Sequence, residues 1–278
     1  MKTISNQIFK FEAKQPGPCL AIFAGVHGNE KAGVWALREL LPKLQPTRGT
    51  LYLAFANPPA IEKNVRLVNI NLNRCFFKDN QDNTYENTYE YKRARELMAI
   101  LDECEALLDL HAFNDKRGEP FIICEENALN IAAKLDPTII STNWSEVEPG
   151  GSDGYMYKSG KIGVCLECGS ISKSKQNQPL AVKTIKQFLK YFQMLDSDVE
   201  FSTNPKRTIK ASYSVIRTSK DYHLKPGMTN FHELKTGEVY GSQDGKNFIA
   251  QEGECIIFPR LDPKINAEAF VIGREGMI

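Results

Sequence analysis

Apolar runs alternate with amphipathic segments along the first two thirds of the chain, which is the pattern of a sheet packed against helices. Short apolar runs bounded by turn residues predict strands at residues 19–24, 50–56, 106–110, 121–124, 138–141 and 163–168. Apolar positions that recur every three or four residues predict helices at 31–44, 84–104, 129–135 and 178–195. Residues 1–15 alternate loosely and predict an edge strand. Because helices separate the strands, we predict an α/β fold with a mixed sheet covered by helices on both faces.

The pattern changes after residue 195. Residues 196–206 are polar and contain a proline, which is typical of a linker. Residues 208–278 carry short β-like runs separated by turns that contain glycine or proline. We therefore predict a large α/β domain over residues 1–200 and a small β-rich domain over residues 201–278. The irregular polar stretch at residues 60–83 is long for a connection, and such stretches are more often functional loops.

Composition narrows the class of protein. The chain has 278 residues, of which 42% are apolar and 25% charged, as in an ordinary soluble globular protein. The formal net charge is +1 without long runs of like charge, so nothing indicates nucleic acid or a membrane surface as a partner. No segment approaches the ~18 apolar residues of a membrane span, and the N-terminus lacks the apolar core of a signal peptide. The seven scattered cysteines then predict reduced thiols and a cytoplasmic location.

The first candidate site follows the strand at residues 19–24, in the sequence Gly-Val-His-Gly-Asn-Glu. His27 and Glu30 lie three residues apart across a turn with two glycines, so an imidazole nitrogen and a carboxylate oxygen can reach one point. These are ligands that Zn²⁺ takes in catalytic sites, where three protein groups leave one position open. The alternative is a helix N-terminus at which Glu30 complements the dipole and His27 has no role.

His111 is the third candidate ligand, at the end of the strand at residues 106–110. Side chains that line a site in an open α/β sheet lie at the carboxyl ends of strands, and both histidines follow strands. Taken alone, His111 would more often be hydrogen-bonded to a neighbour. Together with His27 and Glu30 it favours a metal site. Asp109, on the same face of the strand, could accept a hydrogen bond from a ligand histidine or form a salt bridge.

Six short blocks occur in one order along the chain and resemble the succinylglutamate desuccinylase/aspartoacylase family, a branch of the zinc carboxypeptidase-like hydrolases. The blocks are His27 to Glu30, Asn57-Pro58, Asn64-Val65-Arg66, Asn71-Leu72-Asn73-Arg74, Asp109-Leu110-His111 and Glu167-Cys168-Gly169. The ordered set is far more specific than any one block. The resemblance implies one zinc ion per chain, held by His27, Glu30 and His111.

The resemblance also implies roles for other residues. Arg66 resembles the arginine that polarises the scissile carbonyl beside the metal, and Glu167 resembles the general base. Asn73 and Arg74 resemble the pair that holds a substrate carboxylate, for which the planar guanidinium is suited. The alternatives are surface ion pairs for the arginines and a lysine partner for Glu167. Glu167 follows an apolar run, where a carboxylate is costly unless it has a partner or a task.

Two positions depart from the pattern of the family. Asn71 stands where the family commonly has an acidic residue, and we expect the missing charge to change the orientation of Arg74 or the acyl group that fits. Aspartoacylases carry an arginine about ten residues before the catalytic glutamate, whereas this chain has Tyr157 and Lys158 there. Lys158 could bind the amino acid's carboxylate as a point charge, or it could be a solvated lysine.

These residues predict a zinc-dependent amidohydrolase (deacylase) that cleaves the amide bond of a small anionic N-acyl amino acid, such as N-succinylglutamate or N-acetylaspartate. The zinc ion, two glutamates and two arginines carry a charge of about +2, which favours an anionic substrate. The resemblance implies that the β-rich domain overhangs the pocket; if it does not, a carboxypeptidase acting on short peptides is the alternative. A binding protein on a retired enzyme fold, another divalent ion and a homo-oligomer are left open.

Overall fold

A twelve-stranded mixed sheet runs through the part of the chain that the structure, a computed structural model, describes, which is residues 1–77 and 85–276. The strands of this sheet and of a second, smaller one are β1 (Lys2–Ser5), β2 (Ile8–Glu12), β3 (Gln15–Ala24), β4 (Arg48–Phe55), β5 (Ala106–Phe113), β6 (Phe121–Cys124), β7 (Ile139–Thr142), β8 (Ile162–Ser170), β9 (Arg207–Ile216), β10 (His223–Leu224), β11 (His232–Glu233), β12 (Val239–Gln243), β13 (Lys246–Ile249), β14 (Glu254–Ile257) and β15 (Glu268–Glu275). The large sheet has the order β1-β2-β4-β3-β5-β8-β6-β7-β9-β15-β14-β11, and the small sheet is β10-β12-β13.

Helices connect most of the early strands. In the described residues they are α1 (Lys31–Leu40), α2 (Pro58–Lys63), α3 (Tyr89–Glu103), α4 (Leu129–Ala132), α5 (Trp144–Val147), α6 (Ser152–Lys158) and α7 (Ser174–Tyr191). Helix α3 begins where Thr88 Oγ1 accepts a hydrogen bond from the N–H of Tyr91 at 3.4 Å. Its predicted start at residue 84 lies outside the described residues. None of these helices is long and apolar enough to cross a membrane.

Alternate residues of the central strands pack on opposite faces of the large sheet. In β3, Leu20 and Ile22 lie in an apolar cluster with residues of α1 and α7. Ala21 and Phe23 lie in a second cluster, with residues of α3 and α6. This alternation, with helices on both sides, confirms the predicted α/β fold with a mixed sheet covered on both faces.

The C-terminal region is rich in strands, as predicted, but its longest strands continue the large sheet. Strand β9 pairs in parallel with β7, and β15 pairs antiparallel with β9. One apolar cluster joins residues of β6 and β8 to residues of β9, β14 and β15. A separate cluster, which includes Tyr240 and Phe270, lies around the small sheet. The predicted boundary between residues 200 and 201 falls between α7 and β9, and the division into two domains stays a prediction.

Three parallel neighbours, β3, β5 and β8, end at the same edge of the large sheet. Strand β5 pairs in parallel with both of the others, and His111 lies opposite Glu167 in the register. After β3 ends at Ala24, Gly25 has a φ of +74°, a left-handed conformation that glycine adopts without strain. The chain therefore turns at this edge and brings residues 27–30 beside the ends of β5 and β8.

A buried carboxylate from α3 organises the irregular stretch that precedes this helix. Glu90 is fully buried, and its Oε1 accepts hydrogen bonds from the N–H of Val68 at 2.7 Å and from Asn57 Nδ2 at 3.3 Å. Its Oε2 accepts from the N–H of Ile70 at 3.4 Å, and the N–H of Asn69 lies 3.2 Å from both oxygens. Buried backbone donors need acceptors, and one side chain supplies them here in place of regular secondary structure.

Replacing Glu90 with alanine leaves these donors, which are buried or partly buried, without their acceptor. We expect Glu90→Ala to lower the free energy of unfolding by about 3 kcal/mol, since each unsatisfied donor costs roughly 1–3 kcal/mol and water relieves part of the loss. Urea denaturation followed by circular dichroism would measure the change. Glu62, exposed on α2, is the matched control, and Glu62→Ala should change the free energy by less than about 0.5 kcal/mol. Equal losses in the two variants would contradict this role of Glu90.

Candidate metal centre

The side chains of His27, Glu30 and His111 converge at the edge where β3 and β5 end. One possible ligand atom from each lies within 4.8 Å of the others, and the three residues are 4%, 2% and 4% exposed. Glu30 Oε1 lies 2.8 Å from His27 Nδ1, and Glu30 Oε2 lies 3.1 Å from His111 Nδ1. The structure thus brings together the three ligand candidates singled out from the sequence.

In each histidine ring, Nδ1 faces Glu30 and Nε2 faces away from it. The hydrogen bond of Nε2 determines whether Nδ1 carries a proton or a lone pair. His27 Nε2 lies 2.9 Å from Asn71 Oδ1, which can only accept a hydrogen bond, so this nitrogen carries the proton. His111 Nε2 lies 3.2 Å from Asp109 Oδ2 and is a donor for the same reason. The Nδ1 lone pairs therefore point at a carboxylate, an arrangement that requires a cation or a proton between them.

This arrangement fits a divalent metal ion. Two neutral imidazole nitrogens and one carboxylate oxygen are the ligands that zinc takes in catalytic sites with an open fourth position. A hydrogen-bond acceptor behind each ligand histidine is also usual at such sites. The fit depends on His27 Nδ1, which is buried without a hydrogen-bond partner.

The charges of the three side chains favour cation binding. Burial alone would raise the pKa of Glu30, but the imidazoles of His27 and His111 outweigh it and hold the pKa well below its usual value. The pKa of His27 is lowered by burial and by the Arg66 guanidinium. Burial opposes a charge on His111, yet Asp109 and Glu30 raise its pKa well above the usual value. Without a metal, a proton on His111 would therefore occupy the place of the cation.

Close packing at Gly28 joins this turn to the segment that carries Arg66. A side-chain carbon at Gly28 would lie 2.0 Å from the carbonyl carbon of Ala60, so only glycine fits. The N–H of Gly28 donates a hydrogen bond to the carbonyl oxygen of Arg66 at 3.2 Å. The Arg66 Nη1 atom in turn lies 3.1 Å from Glu30 Oε1. Arg66 is thereby placed next to the ligand candidates.

Glu167 lines the same cavity from β8 and is only 7% exposed. Its Oε2 has no hydrogen-bond partner, and no ion pair joins it to a lysine among the described residues. Burial, with a further contribution from the Glu30 carboxylate, raises the pKa of Glu167 to about 8. A buried carboxyl group without a partner is costly, so Glu167 has the properties of a functional residue.

Asn73 and Arg74 also line the cavity, whereas Lys158 does not. Arg74 forms an ion pair with Glu148, and its Nη2 atom lies 3.8 Å from Glu268 Oε2. Asn73 Oδ1 is buried without a partner. The structure does not support a substrate contact for Lys158, because its exposed Nζ lies 3.9 Å from Glu146 Oε1 at the surface end of α6.

The effect expected for Asn71 also needs correction. Asn71 Oδ1 accepts from His27 Nε2 and, at 3.0 Å, from the N–H of Asn73. Asn71 precedes the short 3₁₀ helix Leu72–Arg74, and its side chain caps that helix and faces His27. The neutral side chain at position 71 therefore lies against the ligand candidate His27.

Several residues of the cavity were not singled out from the sequence. They are contributed by loops, α6 and the C-terminal region: Asp115, Glu148, Asp153, Asn230, Phe258, Arg260 and Glu268. The cavity has a volume of about 990 Å³, part of which is open to solvent. The C-terminal region thus forms part of its wall, as the family resemblance implied. Burial and the Asp109 carboxylate raise the pKa of Asp153 to about 6.

Comparisons with known proteins agree on one family. A family model described as the succinylglutamate desuccinylase/aspartoacylase catalytic domain matches residues 16–196. A succinylglutamate desuccinylase from Serratia proteamaculans is 28% identical over 272 residues, which cover 86% of this chain and 79% of that protein. A probable aspartoacylase from Nostoc is 26% identical over 274 residues, which cover 86% and 89%. The crystal structure of a succinylglutamate desuccinylase from Vibrio cholerae has the same fold, with a TM-score of 0.80 at 18% identity over 97% of this chain and 85% of that one.

Substitutions of the two acceptors behind the histidines should change the affinity for the metal ion in opposite directions. Asp109 is charged and Asn71 is neutral, and a charged acceptor makes the imidazole a stronger ligand. We expect Asn71→Asp, which keeps the shape and both hydrogen bonds, to tighten zinc binding about tenfold, and Asp109→Asn to weaken it by about 10–100-fold. Titration of metal-free protein with Zn²⁺ against a competing chelator would measure both. Unchanged affinity in both variants would contradict the assignment of His27 and His111 as ligands.

Glu167 should make the stability of the metal-free protein depend on pH. Its pKa is raised from 4.5 to about 8 by folding. Below pH 4.5 Glu167 is protonated in both the folded and the unfolded state and does not destabilise the fold. Between pH 4.5 and about pH 8 it lowers the free energy of unfolding by about 1.4 kcal/mol per pH unit. Relative to the original protein, Glu167→Gln should gain free energy of unfolding as the pH rises through this range and then level off. Urea denaturation at a series of pH values would test this, and a constant difference would argue against it.

Proposed function

The chain belongs to the succinylglutamate desuccinylase/aspartoacylase family, and from this we propose that it is a zinc-dependent amidohydrolase (deacylase) that cleaves the amide bond of a small anionic N-acyl amino acid. N-succinylglutamate and N-acetylaspartate are examples of this substrate class. The observation that carries the proposal is the convergence of His27, Glu30 and His111, with their lone pairs facing inward, beside the unpartnered carboxyl group of Glu167. The related proteins named above are a desuccinylase and a probable aspartoacylase, which supports the reaction type.

Nδ1 of His27, the Glu30 carboxylate and Nδ1 of His111 would hold one zinc ion per chain. When bound, zinc supplies a Lewis acid that polarises a carbonyl group and lowers the pKa of a water molecule toward ~7. The hydrogen bonds to Asn71 and Asp109 hold both rings in the tautomer that leaves Nδ1 free to bind.

Glu167 acts as the general base and then as the general acid. It takes a proton from the attacking water and returns it to the leaving amine. A carboxyl group whose pKa is raised is a stronger base than an ordinary glutamate, and Glu167 reaches about 8 through its burial. A cation bound nearby would bring this pKa down toward neutrality, where a general base is most effective.

Arg66 stabilises the negative charge that develops on the carbonyl oxygen of the substrate. Its side chain is 41% exposed and lies against Glu30, so the guanidinium can reach into the cavity without leaving its partner. Loss of one such donor typically lowers the rate by roughly 10²–10³-fold. Asn73 and Arg74 bind a substrate carboxylate, since guanidinium pairs with carboxylates in a bidentate manner.

A carboxypeptidase that acts on short peptides is the second candidate. Wall residues from the C-terminal region, among them Phe258 and Arg260, favour small substrates over peptides. Three further parts of this proposal are predictions from the sequence: the division into two domains, zinc as the metal ion, and a cytoplasmic location.

The proposal is tested by zinc-loaded protein assayed against a panel of N-acetyl, N-succinyl and N-benzoyl amino acids and against C-terminal peptide substrates. We expect hydrolysis of N-acyl amino acids, and a loss of about 10³-fold or more in kcat for Glu167→Gln, the general base being worth roughly 10²–10⁴. The metal content of that variant should not change, because Glu167 is not a ligand. Hydrolysis of peptides alone would favour the carboxypeptidase, and unchanged turnover of Glu167→Gln would contradict the mechanism.

A further inference from the structure

One wall of the cavity is apolar and is built by residues from four elements and from the loop after β14. Its members are Phe113, Ile123, Trp144, Cys165 and Phe258. The ring centroid of Phe258 lies 5.5 Å from that of Trp144 and 6.2 Å from that of Phe113. Aromatic rings at such spacings pack favourably. The wall offers an apolar surface to a ligand and no charged partner to a carboxylate.

Phe258 reaches this wall through a strained backbone. Its φ is +52°, a left-handed conformation that is rare for a bulky residue. The N–H of Phe258 donates to Asn230 Oδ1 at 2.6 Å, and the N–H of Asn230 donates to Asp115 Oδ2 at 2.8 Å. Phe258 is only half-buried, so this strain is not needed to bury its ring. These two hydrogen bonds hold the backbone that carries the Phe258 ring beside the cavity.

The charged residues of the cavity neutralise one another. Arg66 pairs with Glu30, and Arg74 pairs with Glu148. Arg260 Nη2 lies 3.7 Å from Glu268. Among the described residues, the cavity as a whole is lined by these three arginines and by six carboxyl groups, those of Glu30, Asp115, Glu148, Asp153, Glu167 and Glu268. If all six carboxyl groups were ionised, they would exceed the arginines by three charges, but the raised pKa values of Glu167 and Asp153 reduce this excess. With a divalent ion bound, the cavity is therefore close to neutral, and not at the +2 expected from the sequence.

Two further unpaired polar atoms of the cavity are uncharged. Asn230 Nδ2 and Ser145 Oγ are buried without a hydrogen-bond partner, and both residues line the cavity. Asn230 Oδ1 is occupied by the N–H of Phe258, which leaves its Nδ2 as a donor for a ligand. A neutral donor beside an apolar wall can satisfy a carbonyl oxygen, whereas a second carboxylate there would leave its charge uncompensated.

We propose that the substrate of this deacylase is an N-acyl amino acid with a single carboxylate and one apolar group, and that Phe258 determines this specificity by contacting the apolar group. This inference rests on the proposed function. Arg74 binds the single carboxylate, and the apolar group, on either side of the scissile amide, packs against Phe258 and its neighbours. Substrates with two or three carboxylates meet further negative charges without further free cations in the described cavity.

The test compares kcat/KM of zinc-loaded protein for two sets of substrates. N-acetylphenylalanine, N-acetylleucine and N-benzoylglycine carry one carboxylate and an apolar group; N-acetylaspartate and N-succinylglutamate carry two and three carboxylates. We expect kcat/KM to be about tenfold or more higher for the first set, since an apolar contact contributes roughly 10–200-fold in such pockets. Phe258→Ala should lower the ratio between the sets by about 10–100-fold, mainly through KM, and Phe258→Leu should restore much of it.

Phe231 provides the matched control. Its ring lies 4.8 Å from that of Phe121, which also contacts Phe258, and it does not line the cavity. Phe231→Ala therefore removes similar packing and should leave the ratio unchanged. Three outcomes would overturn the inference while leaving the deacylase intact. They are a higher kcat/KM for the substrates with two or three carboxylates, an equal loss of kcat/KM for both sets in Phe258→Ala, and the same change of the ratio in Phe231→Ala. Failure to hydrolyse any N-acyl amino acid would overturn the proposed function itself.

Discussion

Glu30 places its carboxylate between the Nδ1 atoms of His27 and His111, and this contact ties together segments that are far apart in the chain. The same carboxylate accepts a hydrogen bond from the N–H of Ala112 at 2.9 Å and lies against the Arg66 guanidinium. Burial of an ionised carboxylate is unfavourable unless partners compensate, and here each oxygen has them. Because His111 lies in a central strand and His27 follows its neighbour, the register of the sheet determines where these partners meet.

The fold and the ligand candidates could be predicted from the sequence because they depend on short-range signals. Apolar periodicity indicates which segments are strands and helices, and the turn with two glycines places His27 and Glu30 at a strand end. The opposite wall of the cavity could not be predicted in this way. Phe258 and Glu268 belong to turns and strands of ordinary composition, and the pairing of β9 with β15 and of β15 with β14 brings them to the site.

Two residues, Asn71 and Lys158, have other neighbours in the structure than those that the sequence suggested. Asn71 lies near Arg74 in the chain, but it caps a 3₁₀ helix and faces His27, while the Arg74 side chain leaves toward Glu148. Lys158 occupies a position suggested by the family, but it ends α6 on the exposed side of the helix. In both cases the helical geometry of a short segment determines the direction of the side chain, and the spacing of residues along the sequence does not show that direction.

Strands β5, β8, β6, β7, β9 and β15 are hydrogen-bonded to one another in unbroken succession. This succession begins at the candidate metal centre and ends at the strand that carries Glu268. Neighbouring strands are held about 4.8 Å apart by their ladders, so the separation of the two sides is set by backbone geometry. We therefore expect the distance between the candidate metal centre and β15 to stay constant when a ligand binds. The size of the ligand that fits is then limited by this distance, and the C-terminal region does not need to move for the ligand to enter.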